Sequence, residues 1–323
     1  MNTVPTFSTS SLAEPDLLRF SRLFQELQDL KRQQPAHYAH SIATQLFLDA
    51  WQLLWDNTAP EEVAYHITAR AVTAILFPGV DEAFFTAARL PREAAESILR
   101  DALDRSTDGL LTPEVAERLH GEVRHLAAGF YRPTPTREYT LSPALHLLTR
   151  QPRAGATRPD VPRLLLVPPE MHSDHCLLTA VYATLCSEHY GAEPGAAFLC
   201  GLAHHLHNAY LPDCGFAGEI CLGDQLLPVI NNCRREALRE LPDALRLQVR
   251  DALRYHETID APEGRAISAG DVLDRVLDVK WRTRAAAVTD RDILGDLDLV
   301  HDGPLKSFQM SLLNDLRLWS DNS

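Results

Sequence analysis

What this sequence lacks narrows its class before any motif is read. No apolar run reaches the roughly 18 residues that a membrane span requires. Residues 1–11 carry neither the basic segment nor the apolar stretch of a secretory signal, so the expectation is a soluble, cytoplasmic chain with a flexible leader. Positive charge is in deficit: 31 Lys and Arg against 44 Asp and Glu leave a net charge of -13. That argues against an extended grip on nucleic acid, which needs many cations set against phosphates, and leaves open a small anionic substrate in a locally basic pocket. Cysteine is missing from the whole first half. Cys176, Cys186, Cys200, Cys214, Cys221 and Cys233 all lie in the second, with no Cys-x-x-Cys pair and no zinc-ribbon spacing. Reduced, mostly buried thiols are expected.

Strand signals are also scarce, and what fills the chain is helical periodicity. Leu17, Leu18, Phe20, Leu23, Phe24, Leu27 and Leu30 recur at three- and four-residue steps. Residues 43–55 are strongly apolar. Asn57-Thr-Ala-Pro-Glu-Glu62 reads as a helix start in which Thr58 caps, Pro60 takes the first turn and the acids face the positive end of the helix dipole. Thr112-Pro-Glu114 repeats the signal. Tyr131-Arg-Pro-Thr-Pro-Thr136 breaks the run, and the Pro- and Gly-rich residues 151–162 read as a linker or surface loop. Residues 164–169 suit a short strand or an extended lead-in. Beyond them, helices are expected over 174–188, 194–207, 229–241, 242–255, 268–279 and 305–318. At 323 residues the chain is long enough for two domains. The expectation is an all-α protein with a helical domain over 1–150 and a second helical domain over 160–323.

The second half holds the unusual chemistry. Gly201-Leu-Ala-His-His-Leu-His207 places three imidazoles directly behind an apolar run, and neutral imidazole is the commonest protein metal ligand. His175 opens the preceding helix, and Asp271 lies inside a later one.

This order of His175, then His204 and His205, then Asp271 resembles the HD superfamily of metal-dependent phosphohydrolases. There a His opens one helix, a His-Asp doublet ends the next, and a distant Asp completes the metal shell. Asp174-His-Cys-Leu-Leu-Thr-Ala looks like the family's His-Ser-Leu-x-Val-Ala segment, and Gly201-Leu-Ala-His-His looks like its Gly-Leu-Leu-His-Asp. The second doublet position departs, with His205 standing where the family has Asp. An imidazole offers one lone pair where a carboxylate can bridge two ions, so one ion is expected. Three His and one Asp favour zinc, manganese, iron or cobalt over magnesium or calcium.

Glu219-Ile-Cys-Leu-Gly-Asp224 is similar to the Glu-x-x-x-Gly-Asp segment of the bacterial HD 5'-deoxynucleotidases, although an insertion, residues 208–218, separates it from the doublet. The resemblance implies that Glu219 positions or activates the attacking water and Asp224 contacts the sugar. Asp213, in the insertion, is a second candidate base that also reads as a turn residue. His256, His172 and His207 are candidate further ligands or substrate contacts.

The implied activity is hydrolysis of a nucleotide or related phosphomonoester by a metal-activated water. An iron-dependent HD oxygenase and a catalytically degenerate, ligand-sensing or partner-binding HD domain are the alternatives. Arg234, Arg235, Arg254, Lys280 and Arg282 are candidates for phosphate contact. The first domain reads as a packing or homo-oligomerisation module. One echo links the halves: His37-Tyr-Ala-His40-Ser-Ile-Ala-Thr matches the histidine spacing of His172-Ser-Asp-His175-Cys-Leu-Leu-Thr, and no doublet follows it.

Overall fold

The computed structural model describes residues 17–36, 38–80, 82–129, 139–165, 167–256, 258–283, 291–296 and 298–319. The chain is mostly α-helical, as its periodicity requires. After a 3-10 turn, Leu17–Phe20, come α1 (Ser21–Leu27), the 3-10 turn Gln28–Lys31, α2 (Ile42–Trp55), α3 (Pro60–Leu76), α4 (Glu82–Ala88), α5 (Arg92–Thr107), α6 (Pro113–Gly129) and α7 (Pro143–Leu148). A short ribbon, β1 (Ala156–Arg158) and β2 (Val161–Leu164), leads into α8 (His172–Tyr190), α9 (Pro194–Ala203), α10 (Gly215–Leu222), α11 (Leu226–Arg239), α12 (Asp243–Ala252), α13 (Pro262–Thr283) and α14 (Lys306–Asp315). No helix among the described residues is long and apolar enough to cross a membrane. The leader, the break at 131–136 and His37 lie outside the described residues.

Everything is arranged around α8. Its residues from His172 to Ser187 are all buried, as expected of a helix that is apolar or paired on every side. It packs against α9 and α13 from the second half and against α2 and α3 from the first. One apolar cluster runs through these contacts, with Phe24, Phe47 and Trp51 joined to Tyr182, Phe198 and Val272. Two glycines permit the close approach. A Cβ on Gly201 would lie 2.8 Å from the Ala180 Cα, and one on Gly270 would lie 2.6 Å from the Thr179 carbonyl oxygen. The start of α2 meets the start of α8: Ser41 and Thr44 donate to Asp174 Oδ1 at 2.5 and 2.8 Å.

Several local readings are corrected. Thr58 does not cap α3. Ala59 holds that position without a side-chain bond, because Pro60 sets the first helical residue. Thr112 does cap its helix, accepting from the Val115 N–H at 3.5 Å. Residues 151–162 form no simple linker, since they carry β1 and the start of β2, paired Ala156 to Leu164 and Arg158 to Val161. Gly155 (φ 78) and Asp160 (φ 65) supply the left-handed turn residues. Past Leu164 the backbone leaves the ribbon, with Leu165 and Val167 exposed. The expected helix over 194–207 stops at Ala203. The Gly201 carbonyl, which the next helical turn would need, instead accepts from the His204 ring at 2.6 Å. All six cysteines are free thiols; Cys176, Cys186 and Cys200 are buried, while Cys221 is exposed.

Candidate metal centre

The first turn of α8 presents His172 and His175, the end of α9 presents His204 and then His205, and the middle of α13 presents Asp271. Because α9 and α13 both lean on α8, these groups meet. The Nε2 atoms of His175 and His204 are 3.1 Å apart. Asp271 Oδ1 lies 3.3 Å from the first and 3.9 Å from the second. His205 joins them, its ring centroid 4.3 Å from that of His204 and 5.0 Å from that of His175. Nitrogen atoms of His175, His204 and His205 all lie within 4.8 Å of one another.

The partners of the other ring nitrogens decide what this cluster is. His175 Nδ1 lies 2.6 Å from Asp274 Oδ2, His204 Nδ1 2.6 Å from the Gly201 carbonyl, and His205 Nδ1 2.8 Å from Asn208 Oδ1. Asn208 is oriented by its own amide, which donates to the Leu211 carbonyl at 3.1 Å. Each acceptor is an oxygen without a proton, so each Nδ1–H donates and a neutral ring keeps its lone pair at Nε2. His172 follows the same pattern, with Nδ1 3.0 Å from the Gln151 carbonyl and Nε2 buried without a partner. A direct hydrogen bond between His175 and His204 would require one ring to hold both protons. Lone pairs gathered beside a carboxylate oxygen could hold a metal ion. Bonds of roughly 2.0–2.1 Å in tetrahedral array place donors about 3.3 Å apart, close to the spacing here.

Electrostatics favours the metal-binding forms of His204, His205 and Asp271. Burial pushes the His204 imidazole well below its ordinary value, with His175 adding to the effect, and burial followed by His204 does the same to His205. Burial alone would raise Asp271, but Arg275 and then His175 hold it well below the usual carboxylate range. Neutral imidazole and ionised carboxylate are the forms that bind metal.

A second trio of donors, Glu170, His175 and Asp274, is fully buried beside the first. Here a cation is already present. Lys31 Nζ contacts Glu170 and lies 2.7 Å from Asp274 Oδ1. This trio is therefore the support of His175 and not another metal cup.

On its open side Asp271 borders a cavity of about 280 Å³ lined by His256, Ser268, Arg275, His301, Lys306 and Gln309, among others. Arg275 Nη2 holds the outer oxygen of Asp271 at 3.2 Å, and the His256 ring lies 5.7 Å from that of His204. The cations of this cavity, Arg275 and Lys306, were not among those singled out from the sequence. Several of those are engaged elsewhere: Arg254 with Asp251 at 3.1 Å, Arg282 with Asp278 at 2.8 Å, and Lys280 with the Leu318 carbonyl at 3.2 Å. Arg275 was findable, since it lies one turn after Asp271 on the same helix face.

His207 is 5.5 Å from His205 between ring centroids. Asp213 accepts from the Ala154 and Gly215 N–H groups, both at 2.9 Å, which is the work of a turn residue, and it also lies 3.7 Å from His172 Nε2. Glu219 is half-buried in α10, its carboxyl raised by burial and then by Asp213. Asp224 is exposed in the 3-10 turn Gly223–Gln225. Compared with protein-family models, curated proteins and solved structures, the chain matches none.

Proposed function

We propose that this chain is a metal-dependent phosphohydrolase of the HD type, acting on a small phosphomonoester such as a nucleotide. The observation that carries the reading is the convergence of the His175 and His204 Nε2 atoms on Asp271 Oδ1 with His205 beside them, each ring locked by an oxygen acceptor behind it. A single transition ion held there supplies a water of lowered pKa and polarises a phosphoryl oxygen. The protein's own groups do the rest. Arg275 keeps Asp271 ionised and offers positive charge on the cavity side, where the phosphate would enter. The substrate's remaining atoms occupy the space between His256, His301 and Lys306, whose volume suits a small molecule and no polymer. Glu219 is assigned the proton of the attacking water, on the resemblance and on its raised carboxyl, which suits a general base. Asp224, at the surface, is assigned a contact to the leaving group on the resemblance alone.

Elemental analysis of the purified chain, together with hydrolysis of a panel of nucleoside monophosphates, tests the reading. About one transition ion per chain is expected, and His204→Ala is expected to lose the ion and at least 100-fold of the activity. Wild-type protein that takes up no zinc, manganese, iron or cobalt, or a His204→Ala variant as active as wild type, would overturn it.

A further inference from the structure

The 3-10 turn Gln28–Lys31 reaches the far side of the metal centre. Lys31 is one of only three lysines in the chain, and its side chain is 2% exposed. Its ammonium sits among three buried carboxylates, in contact with Glu170, 2.7 Å from Asp274 Oδ1 and 3.8 Å from Asp278 Oδ1. Gln28, on the same turn, donates to Asp274 Oδ1 at 2.9 Å and to the Tyr182 hydroxyl at 3.0 Å. Both oxygens of Asp274 are thus held: Oδ1 by Gln28 and Lys31, and Oδ2 by Lys31 at 2.9 Å and His175 Nδ1 at 2.6 Å.

We propose that Lys31 is a positioning residue for the metal centre: its ammonium fixes the Asp274 carboxylate that receives the His175 proton, and so sets where His175 Nε2 points. This rests on the metal reading above. Stability alone is a poor reason for the arrangement, because removing an ammonium and its carboxylates from water costs several kcal/mol and apolar side chains of similar volume often do as well. A carboxylate behind a ligating histidine, itself held in place, is how metal ligands are oriented and made more basic, and loss of such support typically weakens binding 10- to 100-fold. The consequence is that a segment 243 residues from Asp274 in the chain is a working part of the centre. The same contact sets a cation, Lys31, against the donor trio Glu170, His175 and Asp274.

The test titrates Co2+ into the full-length metal-free protein and reads affinity by competition with a chelator and ligand geometry by visible absorption. Lys31→Met and Asp274→Asn are expected to bind 10- to 100-fold more weakly than wild type, with an altered cobalt spectrum. Lys31→Gln keeps a donor without the charge and serves where Lys31→Met does not fold, with a weakening in the same direction expected. Lys31→Arg, which keeps the charge, is expected to recover part of the affinity. Arg70→Met is the structural control: it breaks a half-buried pair with Asp49, 2.5 Å long, that joins α3 to α2 and includes none of the clustered histidines, and is expected to lower the melting temperature while leaving cobalt affinity unchanged. A folded Lys31→Met or Lys31→Gln protein that binds Co2+ as wild type does would overturn the assignment. Wild-type protein that binds no Co2+ would instead overturn the metal reading itself.

Discussion

On the proposed metal reading, His205 is the residue on which the number of ions turns. Its Nδ1–H is committed to Asn208, so it has one lone pair to give, at Nε2. An aspartate there would offer two oxygens to the same space. His205→Asp is therefore expected to raise the metal content from one ion towards two at saturating Mn2+, and elemental analysis after gel filtration reads the change; a content unchanged at one would show that the imidazole does not limit the site. The clustered donors were legible in the sequence because three imidazoles beside an apolar helix have few other uses, and because Asp271 sits in an otherwise well-patterned helix. Asp274 and Lys31 were not legible. A single Lys and a single Asp in amphipathic segments read as solvated charges, and nothing local reveals that each one's partner lies hundreds of residues away. Arg153 was missed for the same reason: a Pro- and Gly-rich stretch hides that it is held against Glu170 at 3.6 Å.

The geometry of the centre is set by how closely α9 and α13 approach α8, and two glycines set that approach. Gly201 lies three residues before His204, and Gly270 immediately precedes Asp271, so any shift that relieves a new Cβ moves a ligand with it. Gly270→Ala would meet the Thr179 carbonyl oxygen at 2.6 Å, a contact that backbone must move to relieve. Overpacking of this kind costs about 1–3 kcal/mol. The expected result is a lower melting temperature together with weaker Co2+ binding, whereas Gly121→Ala, where a Cβ would meet only the Arg124 side chain at 3.7 Å, should change neither. Equal behaviour of the two variants would show that helix spacing does not govern the site. Element ends were readable only in part. Pro60 and Pro194 begin their helices because a missing N–H costs nothing there. The end of α9 was misread because it depends on a side chain taking a backbone acceptor, which apolar periodicity cannot register.

Across the whole molecule, the buried imidazoles tie folding to pH. Burial pushes His172 down to about 4, with Arg153 adding to it, and His207 down to about 3, with Arg234 adding to it, against an ordinary value of 6.5. An unfolded chain takes up these protons as the pH falls through 6.5, while the folded chain refuses them until far lower. The stability they contribute is therefore present above pH 6.5 and declines as the pH falls from 6.5 towards the folded values. Buried acids act in the opposite sense. Burial holds the Glu170, Asp174 and Glu219 carboxyls above their ordinary values, so these groups recover some stability as the pH falls through those raised values. His172 and His207 lose their contribution between 6.5 and their folded values of about 4 and 3, so the window from about pH 6.5 to 5 lies on that decline. Urea unfolding of the metal-free protein should show a midpoint that is flat above pH 7 and falls across that window. Added Zn2+ should raise the midpoint at pH 7.5 and lose its effect by pH 5, because ion and proton compete for the same Nε2 lone pairs. A midpoint independent of pH from 7.5 to 5 in the metal-free protein would contradict the buried, neutral histidines on which the centre is built.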